Sequence, residues 1–328
     1  MRRRALLAGV AASLAATSAW MPARAAAAAG FDTLDLDWVD ARRGRPVPAR
    51  LYLPRHAAPG VPVPLALFSH GIGSTRERYR WFGQHLAEHG IACLHPQHVG
   101  SDRQVWMGNP LALVGRLWGA AHEAEALARV ADVRFALDTL LAGELGARLD
   151  EQRIVLAGHS YGANTTLLSV GAQVQREGRA IALRDERARA AIVLSAPPFY
   201  GEGDPHRILG GIAVPSLHVT ATEDVIRIPG YYSGAEDRLA VYRATGSARG
   251  PRKWLAVFEG GSHSIFTDRP GAGGVALNPQ VKEATRVLAL AFLRAVFDGD
   301  DSALAVWPQR WAGILARFEA SPALAAAA

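Results

Sequence analysis

Hydrophobic and polar residues follow two different patterns in the first quarter of the chain. In residues 31–54 they alternate on either side of a short polar stretch at 40–44. Such alternation predicts an antiparallel hairpin with one solvated face. Residues 63–69 are apolar almost throughout, which is typical of a central parallel strand buried on both faces.

Buried strands then alternate with helices along the rest of the chain. The predicted strands are 91–94, 153–157, 190–194, 214–219 and 254–258, and the predicted helices are 76–89, 123–141, 163–170, 280–297 and 304–318. This order predicts an α/β fold with a mostly parallel central sheet, an N-terminal antiparallel hairpin and helices on both faces. Ligands of such sheets bind at the carboxyl ends of the strands, so we expect the functional residues there.

Residues 96–122 are irregular and rich in large apolar side chains. They include Trp106, Leu113, Leu117 and Trp118 between glycine and proline breaks. The segment is either a surface loop packed on the core or a small cap over a pocket. Long insertions of this kind often carry function. In the second interpretation, which we favour, these four residues line the substrate pocket. We expect one domain over 26–320 and a frayed tail over 321–328.

The N-terminal 25 residues have the pattern of a cleaved export signal. Arg2, Arg3 and Arg4 precede an alanine- and leucine-rich stretch, and residues 23–25 form an A-x-A cleavage site. The two adjacent arginines before Ala5 also resemble a twin-arginine signal. A retained membrane anchor is the alternative, but alanine is only weakly apolar, so we expect the segment to be cleaved. The mature protein should then have no stable membrane insertion and be periplasmic or secreted.

Charge and cysteine content exclude some classes of function. Residues 1–25 hold four arginines and no acidic residue, so their removal lowers the net charge from +6 to +2. This gives no support to a nucleic-acid partner. Cys93 is the only cysteine of the sequence. It lies in an apolar run, so we expect a buried thiol and no intramolecular disulfide.

A glycine-serine-glycine turn joins the predicted strand 153–157 to the predicted helix that follows. Residues 158–162 read GHSYG. Strand, G-x-S-x-G and helix together form the context of a nucleophile elbow, which would expose the Ser160 hydroxyl on a strained turn. The alternative is an ordinary turn in which Ser160 caps the helix.

A serine nucleophile requires a base and an acid that orients the base. Asp224 follows the strand 214–219 in a loop at a carboxyl end, with Glu223 as its neighbour and competitor. His263 follows the strand 254–258 after two glycines. We therefore predict Ser160 as nucleophile, His263 as base and Asp224 as the orienting acid.

Two backbone amides are expected to bind the oxyanion of the reaction intermediate. One is the amide of Tyr161, directly after the nucleophile. The second should come from the glycine-rich loop 70–73, and we assign it to Ile72. His95 and His98 have a metal-ligand spacing without a third ligand in view, so we expect neither a metal nor another cofactor.

Four segments together resemble a known group of enzymes. They are LFSHGIGSTRERYRWFGQHLAEHGIACLHPQHVGSD, LAGHSYGANTT, VTATED and GGSHSIF. The chain resembles α/β-hydrolases described as predicted dienelactone hydrolases or platelet-activating-factor acetylhydrolase-like serine esterases, from about residue 38 to residue 297. The resemblance implies the α/β-hydrolase fold, ester hydrolysis and the roles given above for Ser160, Asp224, His263, Ile72 and Tyr161.

Two departures limit what the resemblance implies. True dienelactone hydrolases carry a cysteine at the elbow, where Ser160 stands here. Acetylhydrolases of the platelet-activating-factor type place the acid after the strand that follows the elbow, and residues 194–198 (LSAPP) contain no acid.

The sequence thus predicts an exported serine hydrolase that cleaves a small-molecule or lipid-like carboxylic ester. An amidase, a peptidase, a polyester hydrolase or a non-catalytic binding protein on the same scaffold are the alternatives.

Overall fold

The structure is a computed structural model and describes residues 30–55, 60–247, 250–269, 273–274 and 276–321. The predicted export signal lies outside these residues, as does the predicted tail beyond Ser321. None of the helices formed by the described residues combines the length and the apolar character needed to cross a membrane.

A nine-stranded mixed sheet forms the centre of the described part of the chain. Its strands are β1 (Phe31–Asp40), β2 (Arg45–Pro54), β3 (Val63–Ser69), β4 (Ala92–Pro96), β5 (Leu149–His159), β8 (Ala188–Leu194), β9 (Ser216–Glu223), β12 (Lys253–Ser262) and β13 (Leu315–Ala320). The order across the sheet is β1-β2-β4-β3-β5-β8-β9-β12-β13. The six strands from β4 to β12 are parallel, and β1, β2 and β13 are antiparallel to their neighbours.

Helices cover both faces of this sheet. They are α1 (Arg80–Glu88), α2 (Leu113–Ala121), α3 (Glu123–Ala142), α4 (Tyr161–Ser169), α5 (Pro205–Leu209), α6 (Ala235–Ala244), α7 (Leu277–Phe297) and α8 (Ser302–Arg310). Alternate residues of β3 enter opposite cores. Phe68 packs with α1, α7 and α8, whereas Leu67 packs with α3, α4 and α6. Burial on both sides explains why β3 is apolar throughout, and the predicted α/β architecture is confirmed.

Two predicted helices differ from those observed. The helix predicted at 76–89 begins at Arg80, because Tyr79 has a left-handed backbone (φ 56°) that a right-handed helix cannot include. The helix predicted at 304–318 ends at Arg310, and residues 315–320 instead form β13, antiparallel to β12. Ser321, which we expected in a frayed tail, donates its amide to the carbonyl of Lys253 (2.8 Å).

Several short elements were not predicted from the sequence. Two small hairpins pair β6 (Gln175–Arg176) with β7 (Arg179–Ala180) and β10 (Ile226–Ile228) with β11 (Tyr231–Ser233). Residues 96–122 contain 3₁₀ turns at Arg103–Trp106 and Pro110–Ala112, followed by α2. Hairpin β10–β11 and residues 103–122 both border the cavity at the carboxyl ends of the strands.

Candidate active site

Strand β5 passes into helix α4 through a strained turn at Ser160. The backbone of Ser160 has φ 56° and ψ −122°, a conformation that non-glycine residues rarely adopt. A Cβ on Gly158 would lie 2.3 Å from the Gly162 carbonyl oxygen, and one on Gly162 would lie 1.9 Å from the Ser69 carbonyl oxygen. Both glycines are therefore required by the close approach of α4 to β5 and β3.

The Ser160 hydroxyl lies against the predicted base. Its Oγ is 2.7 Å from His263 Nε2, and His263 Nδ1 is 2.6 Å from Asp224 Oδ1. Although Ser160 occupies the N-cap position of α4, its side chain makes no capping hydrogen bond. The structure thus brings together the three residues selected from the sequence, while the side chain of Glu223, at the end of β9, is exposed.

Asp224 is fully buried and remains ionised. Thr220 Oγ1 donates to its Oδ2 (2.7 Å), and Arg238 Nε is 3.4 Å from its Oδ1. Burial by itself raises the pKa of Asp224, but the His263 hydrogen bond and charge, together with the Arg238 charge, hold this pKa well below the ordinary 3.8. An ionised carboxylate only accepts, so neutral His263 carries its proton on Nδ1. His263 Nε2 is then left to accept the proton of the Ser160 hydroxyl.

The two predicted oxyanion donors border the same cavity as Ser160. Ile72 lies in the loop after β3 and Tyr161 is the first residue of α4. Within the described chain, neither backbone amide is hydrogen-bonded to another backbone group, whereas the neighbouring Gly73 amide donates to the Ser101 carbonyl (2.8 Å). Neither amide is thus committed to a backbone partner, as an oxyanion donor requires.

A buried arginine connects the segments that carry these two amides. Arg129, on α3, donates to the His70 carbonyl (2.5 Å) and to Thr165 Oγ1 on α4 (2.8 Å), and its guanidinium lies 4.6 Å from the centre of the Tyr161 ring. Burial lowers its pKa to about 10, so it stays charged at neutral pH. The sequence signal for it was weak: a charged residue three positions after Ala126, on the apolar side of a predicted helix.

Tyr79 and His159 form a second connection behind the site. The Gly71 amide donates to the Tyr79 hydroxyl oxygen (3.4 Å), this hydroxyl lies 2.9 Å from His159 Nδ1, and His159 Nε2 lies 3.1 Å from the His263 carbonyl. Burial, and next the His263 charge, lower the pKa of His159 to about 3, so the ring is neutral. A carbonyl only accepts, so Nε2 donates to it and Tyr79 donates to Nδ1.

The cavity above Ser160 has a volume of about 1120 Å³. Trp106 and Leu117 line it, and Trp106 Nε1 also donates to the Gly73 carbonyl (2.8 Å). Leu113 and Trp118, which the sequence also assigned to the pocket, are not among the residues that line this cavity. Leu113 turns into the small apolar cluster around Leu117, and Trp118, half exposed, donates Nε1 to the Pro229 carbonyl (2.8 Å).

His95, His98 and Cys93 are all buried away from solvent. His95 Nδ1 bonds to the Arg78 carbonyl (3.2 Å), and His98 lies between Asp132 and Ser69. Among the described residues, no group of three or more histidine, cysteine, aspartate and glutamate side chains is placed to hold a metal ion. Cys93 is buried in the core, as expected, and its burial raises the pKa of the thiol.

Comparison with known proteins supports the fold. No protein family matches the sequence, and no curated protein does. A ferulic acid esterase from Streptomyces cinnamoneus is similar in structure, with a TM-score of 0.59 and 21% identity over 85% of this chain and 93% of that chain. Because 907 chains of solved structures match, the likeness specifies the architecture and not the substrate. This protein has the α/β-hydrolase fold.

Proposed function

We propose that this protein is a serine hydrolase that cleaves carboxylic esters through an acyl-enzyme intermediate. The observation that carries the proposal is the pair of short contacts from Ser160 Oγ to His263 Nε2 (2.7 Å) and from His263 Nδ1 to Asp224 Oδ1 (2.6 Å). They satisfy the geometric requirement for an activated serine. The similarity in fold to a ferulic acid esterase agrees with ester hydrolysis.

In the proposed reaction, Ser160 Oγ attacks the ester carbonyl carbon while its proton passes to His263 Nε2. The backbone amides of Ile72 and Tyr161 donate to the oxyanion that forms, and Asp224 stabilises the positively charged imidazole. The tetrahedral intermediate collapses, the C–O bond to the alcohol breaks, and the alcohol leaves with the proton from Nε2. Water then attacks the acyl-enzyme with His263 again as base, which releases the acid and restores Ser160.

The shape of the cavity supports a substrate larger than an acetyl ester. Its volume of about 1120 Å³ lies slightly above the usual range of small-molecule sites, about 300–1000 Å³. Six aromatic residues are among those that line its wall: Tyr79, Trp106, Tyr161, Phe199, Tyr200 and Tyr231. We propose that flat or extended apolar groups of the ester pack on this wall.

A steady-state and pre-steady-state assay tests the proposal. With 4-nitrophenyl acetate we expect a burst of nitrophenolate equal to the enzyme concentration, followed by slower turnover as the acyl-enzyme hydrolyses. Ser160→Ala should remove both phases without changing the thermal unfolding temperature by more than a few degrees. Turnover that persists in folded Ser160→Ala would contradict the proposal.

We also propose that the protein is exported and processed after Ala25. The support is the sequence of residues 1–25, with its arginines, apolar stretch and A-x-A site. Cell fractionation followed by N-terminal sequencing tests this, and we expect a mature chain that starts at Ala26. An unprocessed chain in the membrane fraction would indicate a retained anchor instead.

A further inference from the structure

The walls of the cavity that contains Ser160 carry an unbalanced positive charge. Five arginines line the cavity without an ion pair to any carboxylate of the described residues: Arg78, Arg80, Arg103, Arg227 and Arg269. All five are exposed, so they lie at the solvated wall and mouth and not in the buried base of the cavity.

The acidic side chains of the same wall do not neutralise these five arginines. Glu123 and Glu202 both pair with Arg176, at 2.9 and 2.6 Å. Asp268 is 3.8 Å from Lys282, and Glu77 is 3.8 Å from Arg76. Each of these four carboxylates is thus paired with a cation outside the group of five arginines, two of them with the same cation, and Asp224 is buried behind His263.

The excess of positive charge at the cavity is informative because the charges of the whole chain are nearly balanced. The whole sequence has 36 basic and 30 acidic residues, which is close to balance. Unpaired guanidinium groups around a concave site raise the local concentration of anions, because the protein walls focus the field into the cavity. The Arg269 guanidinium also lies 5.1 Å from the centre of the Trp106 ring, so positive charge and an aromatic surface occur side by side.

We infer that the preferred substrates are esters that carry a second, anionic group, a carboxylate or a phosphate, away from the bond that is cleaved. This inference rests on the proposed ester hydrolysis. The guanidinium groups of Arg103, Arg227 and Arg269 bind this group, since their planar donor geometry suits both anions. The aromatic wall packs against the carbon skeleton between the anion and the ester.

Matched pairs of substrates test the inference. The acyl-side pair is 4-nitrophenyl hydrogen adipate, which ends in a carboxylate, and its neutral methyl ester. The alcohol-side pair is 4-carboxyphenyl acetate and 4-carbamoylphenyl acetate, with 4-acetoxyphenyl phosphate as the phosphate arm. At low salt we expect kcat/KM to be about tenfold higher for at least one anionic ester than for its neutral partner. This ratio should fall towards one in 0.5 M NaCl, where exposed charges are screened.

Charge variants connect the preference to the arginines. In the double variant Arg103→Gln/Arg227→Gln we expect the anionic-to-neutral ratio to fall at least threefold. The control is Arg189→Gln, an exposed arginine at the opposite end of the sheet that does not line the cavity, and it should keep the wild-type ratio. Circular dichroism and thermal unfolding check that both variants fold.

The outcomes separate this inference from the proposed function. Equal kcat/KM values within every pair, or a ratio that the double variant leaves unchanged, would overturn the anionic preference while ester hydrolysis stands. If neither member of any pair is hydrolysed in a Ser160-dependent manner, the proposed function fails and the inference fails with it.

Discussion

The contact between Gly162 and the end of β3 makes the elbow sensitive to a single methyl group. In Gly162→Ala the new Cβ would lie 1.9 Å from the Ser69 carbonyl oxygen and 2.8 Å from that of His70. Since Cβ atoms essentially never approach closer than 3.0 Å, helix α4 must separate by at least about 1.1 Å from the end of β3, where the loop begins. The loop carries Ile72 and the helix carries Tyr161, so this movement separates the two proposed oxyanion donors.

A displacement of this size should be seen mainly in kcat. Misplacement of reacting groups by about 1 Å costs on the order of 100-fold in rate, and overpacking costs roughly 1–3 kcal/mol of unfolding free energy. We expect kcat for 4-nitrophenyl acetate to fall about 100-fold in Gly162→Ala, with a smaller change in KM. Urea unfolding gives the loss of stability separately.

A second glycine provides the matched control. Gly119 lies in helix α2, and a Cβ added there meets no atom within 4 Å. Gly119→Ala should therefore stabilise the protein by up to about 1 kcal/mol and leave kcat unchanged. A kcat of Gly162→Ala within threefold of the wild type would refute the steric reasoning.

Three further predictions follow from the buried polar groups of the site. Asp224→Asn should lower kcat by about 10⁴, because the amide no longer fixes the tautomer of His263, and wild-type kcat in a folded variant would contradict this. Tyr79→Phe removes the hydroxyl between Gly71 and His159, so we expect a loss of about 1 kcal/mol in urea unfolding and a lower kcat with little change in KM. Burial lowers the pKa of His95, His159 and His218 to about 3, from 6.5. The unfolded chain then binds more protons below pH 6.5, so the unfolding free energy should fall between pH 6.5 and 3, by at most about 1.4 kcal/mol per pH unit for each histidine. An unfolding free energy that is equal at pH 7.5 and 5.5 would contradict this.

The strands that carry the site could be predicted from the sequence, because strands buried on both faces consist almost entirely of apolar residues. Leu65 and Phe68 face opposite cores, so β3 has no polar face and stands out as an apolar run. The glycines around Ser160 mark a turn that close packing requires. The pair before His263, Gly260 and Gly261, marks a turn with positive φ of 67° and 85°. The order of these turns along the chain was enough to select Ser160, Asp224 and His263.

The side-chain contacts and the irregular segments that connect these strands could not be predicted in this way. Arg129 acts through contacts with residues 36 and 59 positions away, and its position on the apolar side of a predicted helix is only a weak local signal of this role. Strand β13 was missed because residues 315–320 have exposed positions on both faces, and pairing with β12 decides their conformation. Which side chains of residues 96–122 line the cavity could not be predicted, because the direction of each depends on how two 3₁₀ turns set the start of α2.

The most direct measurement of the central claim is covalent labelling of the folded protein with a fluorophosphonate, followed by peptide mapping. We expect one adduct per chain on Ser160, no adduct in Ser160→Ala, and strongly slowed labelling in His263→Ala. An unlabelled folded wild type, or an adduct on a residue other than Ser160, would contradict the assignment of Ser160 as the nucleophile.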